Sequence, residues 1–307
     1  MIDILSKRYW LFGLSLLIIL PGLIVLLIGG LPLSIDFTSG SLLEVRLKSG
    51  DLPPPADVIA LYEDLNITDT QVQLAETGTL IIRSSFLDEE AYNRVIAEME
   101  ARFSDTVEVE RFQNVGPSIS QKVASRAALA VGAAALAVVI YITFAFRGIP
   151  HAFRYGVCAI VAMIHDVAIV FSISAIGSRF FGWEMDALFL TALLTVIGFS
   201  VQDKIVVFDR IRENANLHRR LPFGTLVNHS IVQTLQRSIN TQLMTVEFLL
   251  LALALFGGVT LREFAIILLV GLFSGTYSSI FIAAPILVLW ENREWQGWFG
   301  RGQRAAA

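Results

Sequence analysis

The sequence predicts a polytopic α-helical membrane protein with six transmembrane helices and an α+β ferredoxin-like domain between spans one and two. Three observations carry that prediction. The 307 residues are 55% hydrophobic and 16% charged, with a mean hydropathy of +0.65. Soluble globular domains do not combine this balance with several apolar runs of spanning length. The apolar runs are interrupted by a single long polar stretch, Ser34 to Lys122. Within that stretch the periodicity switches in the order β-α-β-β-α-β, the split βαβ pattern.

Residues 1–33 form a cytoplasmic lead and the first span. Met1 to Arg8 is amphipathic, and the apolar run from Tyr9 to Leu31 is anchored by Tyr9 and Trp10 and closed by Pro32. That run is too long for a signal-peptide core and lacks a small-residue cleavage site, so it reads as a retained helix. Residues 34–122 form the extracytoplasmic domain. Leu43, Val45 and Leu47 alternate with Glu44 and Arg46 as a half-buried strand. Pro53-Pro54-Pro55 leads into a helix over Ala56–Leu65, and Thr70–Leu74 and Thr79–Arg83 are strands joined at Thr77-Gly78. Asp88–Phe103 is a helix whose acidic first turn suits the helix dipole, and Val107–Phe112 is the last strand.

Residues 123–290 carry the remaining spans: Ala127–Phe146, Tyr155–Ile176, Ala187–Phe208, Thr241–Phe256 and Phe264–Leu289. Asp209 to Arg237 is polar and basic and reads as short helices on the membrane surface. Residues 291–307 are a tail. Six spans put both termini on one side. Lys7, Arg8, Arg147, Arg154, the arginines of the 210–237 segment, Arg293, Arg301 and Arg304 fall there, against Arg179 and Arg262 in the short loops opposite. The positive-inside rule makes that side the cytoplasm and the 34–122 domain exported across the cytoplasmic membrane. The net charge of −4 says little beside this sorting. Cys158, the one cysteine, lies inside an apolar run, so there is no disulfide framework or thiolate metal cluster.

The fourth span holds the candidate site. In Thr191–Asn214, Asp203 lies near the cytoplasmic third of the apolar run, where a carboxylate costs roughly 2.5–3.5 kcal/mol on insertion scales. Thr191, Thr195, Gly198 and Gln202 follow one another at helical spacing and set a small, polar stripe beside it, which faces other helices or water rather than lipid. Lys204 next to it has two readings, snorkelling to the surface or pairing with Asp203. His165-Asp166 lies deep in span three, as part of a proton path or as a hydrogen-bonded packing anchor. Glu247 within span five is a further acid, either a proton carrier or a polar partner for another helix. Gly271, Gly275 and Ser279 form a small-xxx-small packing face.

VIGFSVQDKIVVFDRIREN (196–214) resembles the fourth-span signature of the SecD/SecF protein-export membrane family, in its SecF branch, within the RND-like superfamily. Ser34-Ile35-Asp36-Phe37-Thr38-Ser39-Gly40 is similar to that family's motif after the first span, with Asp36, Phe37, Thr38 and Gly40 as motif positions. Ile164–Val167, Gln233–Thr241 and Leu255–Gly258 also match, in order and on the expected spans. The resemblance implies a proton relay of Asp203 in span four with Arg237 at the entry to span five, and Asp166, Gln202 and Glu247 as lesser candidates. It also implies a six-span SecD partner, the Sec translocon channel and an unfolded exported polypeptide as partners, and protons as the driving ion. Gln202-Asp203-Lys204 departs from the family's usual N-D-[ST], and Glu247 stands where an apolar or small residue is usual.

The expected function is therefore an accessory subunit of protein translocation that uses the proton gradient. Two alternatives stand beside it: half of an RND-type exporter of lipid or small molecules, and an assembly factor without transport. No nucleophile–base pair, metal cluster, cofactor or nucleotide motif argues for an enzyme, and nothing points to nucleic acid. Gly29-Gly30 and Gly257-Gly258 are turn glycines rather than phosphate loops.

Overall fold

A computed structural model describes residues 3–50, 52–74, 78–147, 151–242 and 248–294. Among these residues five helices are long and apolar enough to cross a membrane: Leu5–Gly29, Pro117–Ala145, Ala152–Phe181, Ala187–Leu217 and Leu261–Glu291. At 1.5 Å per residue each exceeds the roughly 30 Å hydrocarbon core. The chain divides into two units, Met1–Pro32 with Ala130–Ala307, and Leu33–Leu129.

The smaller unit is built by alternation. After α1 (Arg8–Gly29) a short helix α2 (Ile35–Thr38) is capped by the Ser34 side chain, which accepts from Asp36 N. Strand β1 (Gly40–Leu47), helix α3 (Pro55–Asp64), strands β2 (Gln71–Leu74) and β3 (Leu80–Ser84), helix α4 (Glu89–Phe103) and strand β4 (Val107–Val115) follow. All pairings are antiparallel, in the order β2-β3-β1-β4, with Leu43 opposite both Ile82 and Phe112. Leu43, Val45, Leu47, Leu80 and Ile82 pack with Val58, Leu61 and Tyr62 of α3 and Val95 and Met99 of α4. Asp88 caps α4 by accepting from Ala91 N. At Gly40 (φ 128°) an added Cβ would run into the Ser84 carbonyl oxygen, so this motif glycine is needed both for its backbone angle and for the close approach.

Helix α5 (Pro117–Ala145) begins in the smaller unit at a proline, which suits the first turn because it has no N–H to leave unpaired, and its residues from Ala130 on belong to the larger unit. Helix α6 (Ala152–Phe181) packs on α1 where Gly22 lies against Ser172. The Ser172 hydroxyl donates to the Ile18 carbonyl at 2.8 Å, in the stretch of α1 that Pro21 interrupts. Helix α7 (Ala187–Leu217) continues beyond the expected end at Phe208. The 209–237 segment is not a set of short surface helices. It completes α7 and forms one 20-residue helix, α8 (Phe223–Gln242), which packs on α7. The reason is a buried face at i, i+4 spacing: Leu226, Ser230, Thr234, Ser238 and Gln242.

Of the expected fifth span, residues 243–247 lie outside the described residues and Phe248–Phe256 is helix α9. The last span comprises α10 (Val259–Ser278), a π-helical turn (Ser279–Ala283) and α11 (Ala284–Glu291). Pro285 explains the turn. It cannot donate to the Phe281 carbonyl and its ring crowds that oxygen, so the ladder is re-registered just before it. At one end of this unit Arg8 pairs with Glu294 and Arg154 with Glu291.

Candidate functional site

Gly271 and Gly275 let α10 lie against α7. A Cβ at Gly271 would overlap Val196, and one at Gly275 would sit 3.3 Å from Ser200 Cα. This close approach, with α6 packed on both helices, encloses two carboxylates.

Asp166 on α6 is fully buried and paired with Lys204 on α7, also fully buried, at 2.8 Å. Lys204 neither snorkels to the surface nor pairs with Asp203. Its ammonium also donates to the Ser200 carbonyl at 2.9 Å and to Ser200 Oγ at 2.5 Å, so its three protons have three acceptors. Asp166 further accepts from Ser200 Oγ at 2.6 Å and from Ser274 and Ser278 on α10 at 2.7 Å each. His165 Nδ1 lies 3.1 Å from its other face, and the His165 ring stacks on Tyr277.

Asp203 is 7% exposed and turned into the bundle. Its Oδ2 accepts from Thr276 Oγ1 of α10 at 3.0 Å and from Gln242 Nε2 of α8 at 3.2 Å. Both partners are neutral. Thr276 leaves α10 two residues from Ser274 and Ser278, a turn of about 200°, so the two carboxylates meet different sides of one helix.

The expected Asp203–Arg237 pair does not form. Arg237 is exposed on α8, and no ion pair or side-chain hydrogen bond joins it to another described residue; its carbonyl accepts from Thr241 Oγ1 at 2.8 Å. The α8 residue that reaches Asp203 is Gln242, five positions further on. Thr191, Gly198 and Gln202 lie on the exposed side of α7, away from Asp203. Glu247 lies outside the described residues. Asp36, Phe37 and Thr38 make up most of α2 in the other unit, just before Gly40 opens β1.

Sequence reasoning missed Ser200, Thr276, Ser274, Ser278 and Gln242. A signal existed: Ser230, Thr234, Ser238 and Gln242 recur every four residues, as do Ser200 with Lys204 and Ser274 with Ser278. Such spacing aligns polar groups on one helix face.

Residues 95–293 match the family described as protein export membrane protein SecD/SecF, C-terminal, and residues 24–51 match the SecD/SecF GG motif. The chain is 67% identical over 307 residues to a protein translocase subunit SecF of Anaerolinea thermophila, covering 100% of both chains. It is 44% identical to the SecF subunit of Thermobaculum terrenum, covering 100% of this chain and 99% of the relative. Among solved structures, the crystal structure of SecDF from Thermus thermophilus, described as a translocon-associated membrane protein, superposes with a TM-score of 0.80 at 31% identity. That similarity covers 95% of this chain and 39% of the other.

Proposed function

Because the chain belongs to the SecD/SecF family of protein-export membrane proteins, we propose that it is a SecF-type accessory subunit of the Sec translocation machinery. In this reading Asp203 carries the protons that drive it. The observation that carries the proton role is the environment of Asp203. It is a buried carboxyl whose partners are neutral and can both donate and accept, while the adjacent cation is occupied by Asp166. A proton arriving from one side converts the carboxylate to a carboxylic acid. The Thr276 hydroxyl then rotates to accept, or the Gln242 amide turns its oxygen inward, and no buried donor or acceptor is left unpaired. Return of the proton to the other side restores the first arrangement. Moving one charge across the membrane is worth about 2.3 kcal/mol per 100 mV, enough to bias a helix bundle between two packings.

The chain is read as six-spanning with both termini in the cytoplasm, and with domains at 1–33, 34–122, 123–290 and 291–307. The sheet order and the β-α-β-β-α-β succession support a ferredoxin-like fold for the exported domain, which serves as a docking module for unfolded polypeptide beside the translocon channel. A separate SecD-type polypeptide supplies the other half. In support, this chain covers 35% of one relative named SecDF and 38% of another. Arg237, exposed near the entry to the fifth span, would serve the proton's route to the cytoplasm rather than pair with Asp203. Gln202 and Glu247 stay as lesser members of that route.

The test is Asp203→Asn in membranes with the SecD-type partner, measuring abundance beside export with and without a proton gradient. The swap turns two charge-assisted hydrogen bonds into neutral ones, a loss of about 1 kcal/mol each, offset by removing a buried charge. Abundance is therefore kept while gradient-dependent export is lost, and Asp203→Glu retains part of it. Full gradient-dependent export by a normally abundant Asp203→Asn variant would refute the proton role.

A further inference from the structure

Asp166 and Lys204 are a second intramembrane charge cluster that the proton step above does not use. Asp166 receives five contacts, from His165, Ser200, Lys204, Ser274 and Ser278. A carboxylate has about four lone-pair directions, so these contacts saturate it and leave no place for an added proton. Lys204 spends all three donors inside the cluster, and neither side chain is exposed at all. The contributing residues come from α6, α7 and α10. Lys204 faces α6, and Asp203, one residue back and about 100° around α7, faces α8 and α10. Holding Lys204 against α6 therefore fixes the rotation of α7 about its own axis.

From this geometry we infer that the Asp166–Lys204 pair is a clasp outside the proton path, and that Lys204 is a positioning residue which aims Asp203 at Thr276 and Gln242. The inference rests on the reading of Asp203 as the proton carrier. It assigns Asp166, the other buried carboxyl among the described residues, to structure. The charged and titratable groups around the clasp are His165 from α6 and Asp203 from α7. From α10, Tyr277 lies against the His165 ring.

The experiment compares Lys204→Met, Asp166→Asn and the double variant in the assembled complex. Each single change strands a buried charge or leaves donors unmatched, so assembled protein falls by about tenfold or more. The double variant removes both charges, while the amide replacing Asp166 still accepts from the serines. Assembled protein returns to within about twofold of wild type, while gradient-dependent export per molecule falls, because α7 is no longer held in rotation, and keeps the pH profile set by Asp203. Single variants at wild-type abundance would overturn the clasp. So would an abundant double variant that exports at the wild-type rate, because Lys204 would then not position Asp203, or one whose pH profile has shifted, because Asp166 would then carry protons.

Infrared difference spectroscopy decides the matter independently should the double variant fail to accumulate. With Asp203→Asn and Glu247→Gln combined, no protonated-carboxyl band is expected to titrate above about pH 6, where exposed carboxyls are already ionised. A surviving band there would assign the proton to Asp166 and end the proposal. Failure of the Asp203 reading itself is seen elsewhere, as gradient-dependent export by Asp203→Asn alone.

Discussion

Gly271→Ala tests the helix contact on which the site depends. Helix α10 approaches α7 so closely at this point that an added Cβ overlaps Val196 Cγ2, stands 3.0 Å from Val196 Cγ1 and 3.1 Å from Val170 Cγ2. Val196 is 0% and Val170 1% exposed, so neither can swing into open space. Overpacking of this kind costs about 1–3 kcal/mol. Val196→Ala alone removes the facing methyls and loses packing contacts, at a cost of about 1 kcal/mol or more. In the double variant the new Cβ occupies the vacated space, so the two costs do not add, and a favourable coupling of at least about 1 kcal/mol is expected. The assay is denaturation of the purified protein in mixed micelles for wild type, both single variants and the double. Gradient-dependent export measured in parallel recovers with stability, because the same contact sets α10 and hence Thr276 against Asp203. Costs that add within about 0.5 kcal/mol would refute the reasoning, since they would mean that α10 and α7 do not meet at Gly271.

Two further predictions concern the smaller unit and the orientation. Burial holds the Tyr62 phenol above its ordinary pKa of 10.0, and among the described residues its hydroxyl has no hydrogen-bond partner. Stability present below about pH 10 is thus lost as pH rises further, because the unfolded phenol ionises first. Tyr62→Phe should remove that alkaline loss and leave neutral-pH stability equal or higher by about 1 kcal/mol; an alkaline loss unchanged in the variant would contradict it. In a Cys158→Ala background, Glu90→Cys should react with an impermeant thiol reagent from outside the cell, and Asn216→Cys only after membrane disruption. Both positions are exposed. Labelling of position 216 in intact cells would reverse the assigned topology.

The order of elements in the smaller unit was legible in the sequence because each one is declared locally. Leu43, Val45 and Leu47 alternate on one strand face, Pro55 opens a helix at its first position, and Asp88 stands where a cap belongs. Apolar length likewise announced the long helical spans Leu5–Gly29, Pro117–Ala145, Ala152–Phe181, Ala187–Leu217 and Leu261–Glu291. The 209–237 segment was misread because its charges dominate its composition. The buried face from Leu226 to Gln242 is mostly polar and is recognised by spacing rather than hydropathy.

The intramembrane acids were visible as residues but not as pairs. Asp203 and Lys204 are neighbours in sequence, yet successive helical side chains point about 100° apart, so adjacency says nothing about contact. Which cation, hydroxyl or amide meets each carboxylate depends on how α6, α7, α8 and α10 pack. Asp166 takes Lys204 from 38 positions away and Ser274 from 108, while Asp203 takes Gln242 from 39 and Thr276 from 73. Hydropathy and periodicity are properties of short windows and by themselves determined where the long apolar helices run and which of them carry Asp166 and Asp203. The pairing of those charges is set by close approaches such as Gly271 on Val196, and only the packed helices decided it.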